Sequence, residues 1–502
     1  MRVLFNLPVI VLLMGIGAVA MFIPSLFALA QTDYTTSRVY FYFGTLFLIV
    51  TGLIGLATAN YPQSSAARSH LLSLLGSFTL LPLVLAVPMS EAVPNLRFVN
   101  VYFEMLSSLT TTGATIFQPS ATVPDAVHLW RGLVGWMGGF LIWLAATAIL
   151  APLNLGGFEV TSLRQAGQTT SMRQISHVAD PTERLVRFTQ TLLPLYSSLT
   201  VALWILLIVA GGDPYFSVMA AMATMSTSGI MPPGGVVEAG FLPEFVIAVF
   251  FIFALSRQTF ASERRSGKLA HLRDDPELRL AAVVAAALPV ALFLRHWYGA
   301  IEVDDLSNTE GALRSLWGAF FTVVSFLSTT GFVSADWDAA QNWSGLQTPG
   351  LILMGLALVG GGVATTAGGV KLLRVYALYS HGVRELEKLV HPSSVGGAGR
   401  AGRSIRRQGA YIAWIFFMLF ALSIALIMTA LTLTGLGFEP AMVLTIASLS
   451  TTGPIAQVAS QAPIAYATLP DAAKFILMGA MVLGRLETLA IIALLNPDFW
   501  RS

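Results

Sequence analysis

Four short motifs of hydroxyl residues followed by glycine recur along the chain, each directly behind an apolar segment. Threonine, serine and glycine supply hydroxyl oxygens and unhindered backbone carbonyls, the uncharged ligands that can replace the water shell of a cation. Glycine also tolerates the positive φ that a carbonyl turned towards a central point requires. The motifs are LTTTGA (Leu109–Ala114), MSTSGI (Met225–Ile230), LSTTGF (Leu327–Phe332) and LSTTGP (Leu449–Pro454).

These motifs belong to an internal repeat with a period of about 100 to 120 residues. Each follows an apolar segment too short to span a membrane, such as residues 100–109 or 315–327, and lies between two segments long enough to do so. The unit is therefore a helix, a short re-entrant helix, a hydroxyl–glycine loop and a second helix. The predicted organisation is two N-terminal transmembrane helices (1–66) and pore repeats at 67–165, 166–268, 269–390 and 391–502, the last including a basic linker.

Composition places this repeat in a membrane. Of 502 residues, 55% are hydrophobic and 11% are charged, whereas soluble domains carry about 25% charged residues. The absence of cysteine excludes disulfides, zinc–thiolate sites, iron–sulfur clusters and cysteine nucleophiles. We expect an all-α polytopic protein with spans near 3–30, 39–60, 69–88, 126–151, 188–211, 242–260, 278–297, 348–372, 408–435 and 474–495.

The basic residues predict the orientation. About three quarters of the 28 lysines and arginines fall in alternate loops and at the two termini, so these are expected to be cytoplasmic. Residues 1–30 include a motif, ALAQ at Ala28–Gln31, that resembles a signal-peptidase site. Their apolar run exceeds the roughly 7–15 residues of a signal-peptide core, which favours a retained helix.

The physics of the repeat favours a cation pathway. Non-helical backbone at membrane depth survives only where it lines a cavity or is buried in protein. A half-helix that enters and stops directs its negative C-terminal end at that point. Four such ends around one axis would surround a cation with carbonyls and hydroxyls. The pattern alone predicts a cation without choosing between sodium and potassium.

The four loops resemble the selectivity-filter loops of the TrkH/TrkG/KtrB superfamily of potassium transporters, which includes the plant HKT proteins. GGGVATTAGGVKLLRV (Gly360–Val375) and MGAMVLGRLETLAIIALLNPDFWR (Met478–Arg501) resemble the glycine-rich break of its third repeat and its terminal helix. Two extra N-terminal spans favour the TrkH/TrkG type. Because glycine in all four loops accompanies potassium selectivity in that family, the resemblance implies potassium as the transported ion. The implied filter residues are Thr110, Thr111, Thr112, Gly113, Thr227, Ser228, Gly229, Thr329, Thr330, Gly331, Thr451, Thr452 and Gly453.

A second candidate site is the glycine-rich segment, residues 360–371. Its glycines each cost about 1 kcal/mol relative to alanine in a helix, so a regular helix is not expected. A phosphate loop is excluded because G-x-x-x-x-G-K-[ST] is absent. Close helix packing through small residues remains an alternative, whereas the resemblance implies a gate across the pore. The predicted gate residues are Gly360, Gly361, Gly362, Thr365, Thr366, Gly368, Gly369, Lys371 and Arg485.

Two charged residues in the membrane have open interpretations. Arg485 lies in the middle of the last span, where a charge costs about 2.5–3.5 kcal/mol on insertion scales. It either binds backbone carbonyls and stabilises the bundle, or faces the ion path and opposes cations at the gate, which the resemblance favours. Glu104, in the first short helix, either biases the outer mouth or accepts a hydrogen bond from the loop backbone.

The predicted function is potassium uptake across a bacterial cytoplasmic membrane. The alternatives are a sodium or mixed transporter, a non-conducting scaffold, and an intramembrane enzyme, which is disfavoured because no base accompanies the hydroxyls. We expect neither a catalytic residue nor an organic cofactor nor a nucleic-acid partner. The expected environment is membrane lipid. No G-x-G-x-x-G unit is present, so any nucleotide sensing belongs to another chain. The resemblance implies a homodimer and cytoplasmic TrkA-type regulatory subunits, for which the basic loops 256–280 and 371–407 are the predicted docking surfaces.

Overall fold

The computed structural model describes residues 8–58, 66–117, 123–151, 181–233, 240–256, 275–299, 309–345, 349–391, 407–460 and 462–486. All regular secondary structure in these ranges is helical, which confirms the expected all-α architecture. Seven helices are long and apolar enough to cross a membrane: Val9–Ala30, Tyr34–Thr58, Leu71–Ala92, Asp125–Leu150, Arg184–Val209, Pro276–Arg295 and Gly409–Leu433. The polytopic prediction is therefore confirmed.

Several spans are interrupted. The first divides into Val9–Ala20 and Phe22–Ala30, because Pro24 has no amide to bond the carbonyl four residues earlier. The third divides into Ala66–Thr79 and Leu81–Ala92, and the fourth ends in a π-helix at Ala146–Leu150. The remaining long helices are Pro181–Val209, Pro276–Gly299 and Arg407–Leu433.

The other three expected spans are shorter in the described ranges. The span near 242–260 consists of Phe241–Phe250 and Ile252–Leu255. The span near 348–372 stops at Val359, because Gly360 takes a positive φ and the glycine-rich segment follows; Leu372–Val390 resumes the helix. The last helix is described over Asp471–Leu486, and the rest of the expected terminal span lies outside the described residues.

Four shorter helices precede the hydroxyl–glycine motifs and are named half-helices 1 to 4. They are Phe98–Leu109, Pro214–Ser226, Thr309–Leu327 and Phe438–Leu449. Half-helix 2 starts where Asp213 caps it, accepting hydrogen bonds from the amides of Tyr215 and Phe216 at 2.9 and 3.2 Å. Half-helix 3 has 19 residues and is longer than expected, since it begins at Thr309, ahead of the apolar stretch expected at 315–327. Trp337–Ser344, Ile455–Val458 and the 3₁₀ turn Tyr466–Thr468 follow the motifs of repeats 3 and 4.

The helices pack in a closed circular order. Half-helix 1 contacts the last helix, Asp471–Leu486, and half-helix 2 contacts Asp125–Ala145. Half-helix 3 contacts Phe241–Phe250, and half-helix 4 contacts Gly350–Val359. Each half-helix therefore packs on the second spanning helix of the preceding repeat, with repeat 4 preceding repeat 1.

Burial follows the same arrangement. The C-terminal parts of the half-helices are buried, with Phe103, Phe321 and Val443 each fully inaccessible. The outer helices instead expose large apolar side chains, such as Val209 at 78% and Leu433 at 84%. Such exposure is unfavourable in water and is expected where the surrounding solvent is lipid. The half-helices thus form the protein-enclosed centre, which is where polar loops can lie.

Candidate ion pathway

The four motifs form loops 1 to 4, at residues 110–113, 226–229, 328–331 and 450–453, and each contains a threonine in the left-handed backbone conformation. These threonines, with φ between 52 and 60°, are Thr111, Thr227, Thr329 and Thr451. In loop 1 the amide of Thr111 binds the Ser108 carbonyl and the amide of Thr112 binds the Ser107 carbonyl, both at 2.9 Å. The other loops repeat this helix-terminating pattern.

A β-branched residue in this conformation is rare and costs roughly 1–3 kcal/mol. Sequence reasoning assigned the positive φ to the glycines and missed the threonines, because propensity opposes threonine there. Four matched exceptions indicate that the surrounding structure fixes this conformation in every loop.

Three of the loop glycines also have positive φ: 70° at Gly113, 62° at Gly229 and 81° at Gly331. Gly453 is not among the residues with positive φ, and its need for glycine comes from close approach. A Cβ there would lie 2.3 Å from the amide nitrogen of Ala114. The amide of Gly453 also donates to the carbonyl of Thr112 in loop 1, at 2.5 Å.

The same close approaches connect all four loops in order. A Cβ on Gly113 would lie 2.0 Å from the Ser228 carbonyl oxygen, which links loop 1 to loop 2. A Cβ on Gly229 would lie 2.2 Å from the Thr330 carbonyl oxygen, which links loop 2 to loop 3. Gly331 faces Pro454 and Thr452 of repeat 4. The structure therefore brings the predicted loop residues together as a closed ring.

The loop hydroxyls are buried and mostly paired within their own loops. The first and third residues of a loop share a hydrogen bond in loop 1 (Thr110 with Thr112, 2.8 Å), and loops 2 and 3 have the same pair at 2.9 Å. Within the described part of the chain, the hydroxyls of Thr111 and Thr451 are buried without a hydrogen-bond partner. Both oxygens keep their lone pairs for a ligand.

A cavity of about 450 Å³ lies against the four loops. Its lining includes Gly113, Gly229, Gly331, Pro454, Phe117 and Arg131. Every loop thus contributes to the same cavity, either through its glycine or through the residue that follows it. In the described ranges no group of three or more His, Asp or Glu side chains is placed to hold a metal ion. The oxygens available at the ring are backbone carbonyls and hydroxyls.

Glu104, in half-helix 1, contacts the backbone that follows loop 1. Its carboxylate is 1% exposed and accepts a hydrogen bond from the amide of Ile116 at 2.8 Å. The guanidinium of Arg131 donates to the same carboxylate from Nε at 2.6 Å and forms a buried ion pair with it. Of the two interpretations left by the sequence, the structure contains the hydrogen bond to the backbone that follows loop 1.

The glycine-rich segment folds back on itself. The amides of Val370 and Lys371 donate to the carbonyls of Leu358 and Val359, each at 2.9 Å. Gly360 and Gly369 have φ of 71° and 77°. A Cβ on Gly369 would lie 2.7 Å from the Gly360 Cα, so a side chain on this glycine would push apart the two ends of the folded-back segment.

Three hydroxyl–glycine loops or their half-helices contact this segment. The amide of Gly368 donates to the Thr329 hydroxyl of loop 3 at 2.7 Å. The hydroxyl of Thr366 donates to the Met225 carbonyl at the end of half-helix 2, at 3.1 Å. A Cβ on Gly368 would lie 2.2 Å from the Ser450 carbonyl oxygen of loop 4. The segment therefore lies at the half-helix C-termini.

The remaining predicted gate residues also lie at this segment. Thr365 donates from its hydroxyl to the carbonyls of Ala254 and Gly362, at 3.0 and 2.8 Å, and the Gly362 amide also binds the Ala254 carbonyl. A Cβ on Gly361 would lie 2.5 Å from the same Ala254 oxygen. Lys371 donates from Nζ to the carbonyl of Ala367 within the segment.

Arg485 reaches the segment from the last helix. It is 3% exposed, and its Nη1 donates to the Thr366 carbonyl at 2.8 Å. Its Nε and Nη2 are buried with no partner among the described residues. Of the two sequence interpretations, the structure contains the bond from Arg485 to a backbone carbonyl, and its action on a cation at the gate stays a prediction.

Comparison with known proteins indicates the family to which this chain belongs. A family model described as the cation transport protein TrkH matches residues 278–500. The Trk system potassium uptake protein TrkH of Salmonella typhimurium is 31% identical over 433 residues, covering 86% of this chain and 84% of the relative. TrkG of Escherichia coli K12 is 26% identical over 413 residues, covering 81% and 80%.

The fold is shared with a solved structure. The crystal structure of the potassium transporter TrkH from Vibrio parahaemolyticus superposes with a TM-score of 0.80 and 24% sequence identity, covering 100% of both chains. The circular order of half-helices thus occurs on a known membrane-transporter fold. With the extent and identity of the sequence matches, this chain belongs to the TrkH family of cation transport proteins.

Proposed function

We propose that this chain takes up potassium across the bacterial cytoplasmic membrane through a gated pore. The observation that carries the proposal is the closed ring of four loops, each with a left-handed threonine at the end of a buried half-helix. The relatives are named as potassium uptake proteins of the Trk system, which supports a transporter and not an enzyme. Potassium is the substrate of this activity.

The ring acts as the selectivity filter. The half-helices direct their negative C-terminal ends at loops 1 to 4, which favours a cation there. Backbone carbonyls of the loop residues and the unpaired hydroxyls of Thr111 and Thr451 replace water around the ion. Contacts between neighbouring loops hold the ring at one size, and the cavity beside it receives the hydrated ion.

The glycine-rich segment is the gate. Its contacts with the half-helix C-termini support a position behind the ring, on the path of an ion that leaves the filter. Thr329 and Thr366 tie it to repeats 3 and 2, and Arg485 adds a positive charge. Opening requires these few hydrogen bonds to break, and the glycines permit the backbone change.

The assembly follows from the same family. The Trk system includes further components, and we propose a homodimer of this chain with cytoplasmic TrkA-type nucleotide-binding subunits. Both termini are cytoplasmic in this proposal, in accord with the distribution of basic residues. Residues 257–274 and 392–406 of the predicted docking loops lie outside the described residues, whereas most of the second loop is the helix Leu372–Val390.

Rubidium and potassium uptake by a bacterium lacking its own potassium uptake systems tests the function. We expect growth at low potassium and uptake above an empty-vector control when this chain is expressed with a TrkA-type subunit. No uptake, with the protein shown to be in the membrane, contradicts the proposal. Competition by excess sodium separates a potassium transporter from the sodium or mixed alternatives.

A further inference from the structure

A second buried glutamate binds the segment that follows loop 3. Glu244 is 1% exposed, and its Oε1 accepts a hydrogen bond from the amide of Ala335 at 2.7 Å. Its Oε2 accepts from the hydroxyl of Ser334 and from the indole of Trp317, each at 2.8 Å. Glu244 belongs to repeat 2, so its carboxylate joins two repeats at the loop.

Glu104 and Glu244 bind the segments that follow loops 1 and 3, three to four residues after the loop glycine. Glu104 binds the amide of Ile116, and Ser334 has the same offset from Gly331 that Ile116 has from Gly113. The position in repeat 3 that corresponds to Glu104 is Thr322, whose hydroxyl accepts the Ser334 amide at 3.3 Å. The polar anchor thus has a counterpart in repeats 1 and 3, although the glutamates come from different helices.

In repeats 2 and 4 the described residues show no such carboxylate anchor. Their residues corresponding to Glu104 are Ala220 and Leu444, which have no polar side-chain atom. Loop 4 is held differently, by the hydroxyl of Tyr466, which donates to the Gly453 carbonyl at 3.0 Å. Among the described residues, the loops with carboxylate anchors are therefore 1 and 3, the diagonal pair in the ring order 1, 2, 3, 4.

We propose that Glu104 and Glu244 are positioning residues that set the potassium-over-sodium selectivity of the ring by fixing loops 1 and 3. This inference rests on the proposed function. A buried carboxylate binds amide and hydroxyl donors more strongly than a neutral acceptor, so it holds the backbone behind the loop in one place. A ring held at the size of a dehydrated potassium ion disfavours sodium only while its diagonal walls cannot move inwards.

Glu244 offers the cleaner test, because Glu104 is also paired with Arg131 at the cavity. Three variants separate positioning from packing. Glu244→Leu removes both carboxylate oxygens at similar side-chain volume, and Glu244→Gln keeps one of them as an acceptor. Trp317→Phe removes the indole N–H that donates to Glu244 and leaves the donors at Ser334 and Ala335 in place. Each is expressed as the full chain with its TrkA-type subunit, and potassium and sodium uptake are measured in the same cells.

We expect the potassium-to-sodium uptake ratio to fall about tenfold in Glu244→Leu and about threefold in Glu244→Gln, in line with the strength of charge-assisted hydrogen bonds. Trp317→Phe should keep the wild-type ratio. An unchanged ratio in Glu244→Leu overturns the inference, as does an equal loss in Trp317→Phe. If Glu244→Leu is missing from the membrane, an unchanged ratio in Glu244→Gln overturns it. Absence of wild-type uptake would instead refute the proposed function.

Discussion

Arg485 and Thr366 connect the last helix to the glycine-rich segment through one hydrogen bond, from the guanidinium Nη1 to the backbone carbonyl, at 2.8 Å. Both residues are buried. The bond joins the end of repeat 4 to repeat 3, next to the C-terminal ends of the half-helices. It therefore combines a mechanical tie with a positive charge at the proposed gate.

The first prediction concerns this tie. In the absence of a TrkA-type subunit, Arg485→Gln should take up potassium severalfold faster than the wild-type chain. The substitution removes the charge proposed to oppose the ion and weakens the bond to Thr366. Rubidium influx into proteoliposomes measures the effect. The control is Arg97→Gln, which breaks an exposed ion pair with Asp471 and should change little. Lower influx in Arg485→Gln than in wild type would show that Arg485 serves only to stabilise the bundle.

The second prediction concerns the tie between the segment and loop 3. Thr329→Val keeps the β-branched shape but removes the hydroxyl that accepts the Gly368 amide. One lost hydrogen bond of about 0.5–1.5 kcal/mol should shift the gate towards the open state by roughly two- to tenfold. Channel open probability in planar bilayers measures this shift. Thr445→Val, at a buried hydroxyl without a partner among the described residues, should leave it unchanged; equal behaviour of the two variants counts against the tie.

The third prediction concerns ion discrimination at loop 3. Gly331→Ser should lower the potassium-to-sodium ratio while the protein still reaches the membrane. Its φ is 81°, and a Cβ there would lie 3.0 Å from Pro454, so loops 3 and 4 must shift apart. Gly345→Ser is the matched control, since Gly345 has φ of 58° and no atom near its Cβ position. Backbone strain alone would affect both variants, whereas a filter role requires that only Gly331→Ser change the ratio of fluxes.

The fourth prediction concerns the regulatory partner. Replacing Arg400, Arg403, Arg406 and Arg407 with glutamine should weaken binding of a TrkA-type subunit, because it removes four positive charges from the predicted docking loop. Co-purification at two salt concentrations measures the loss. An unchanged yield at both concentrations would assign docking to another surface. Most of these residues lie outside the described ranges, and the prediction rests on charge alone.

Much of this architecture follows from local pattern. The apolar runs predict the spans because a helix in lipid needs about 20 apolar residues, whatever its neighbours. The four hydroxyl–glycine motifs predict four helix ends for the same local reason, and the run of glycines at 360–369 predicts the break after Val359. The half-helix boundaries are harder to predict from sequence, since half-helix 3 begins at Thr309 although the apolar stretch begins later.

The sequence by itself therefore determined the membrane class and the fourfold repeat, and its resemblance to a known family supplied the proposed filter and gate residues. Only the tertiary structure decided how they meet. Left-handed threonine in the loops opposes local propensity, and such a conformation persists only where the surrounding tertiary structure fixes the backbone. The anchors at Glu244 and Arg485 lie far along the chain from the backbone they bind, at Ala335 and Thr366. Such pairings depend on the packing of helices around a common axis, for which the spacing of residues in one sequence carries no signal.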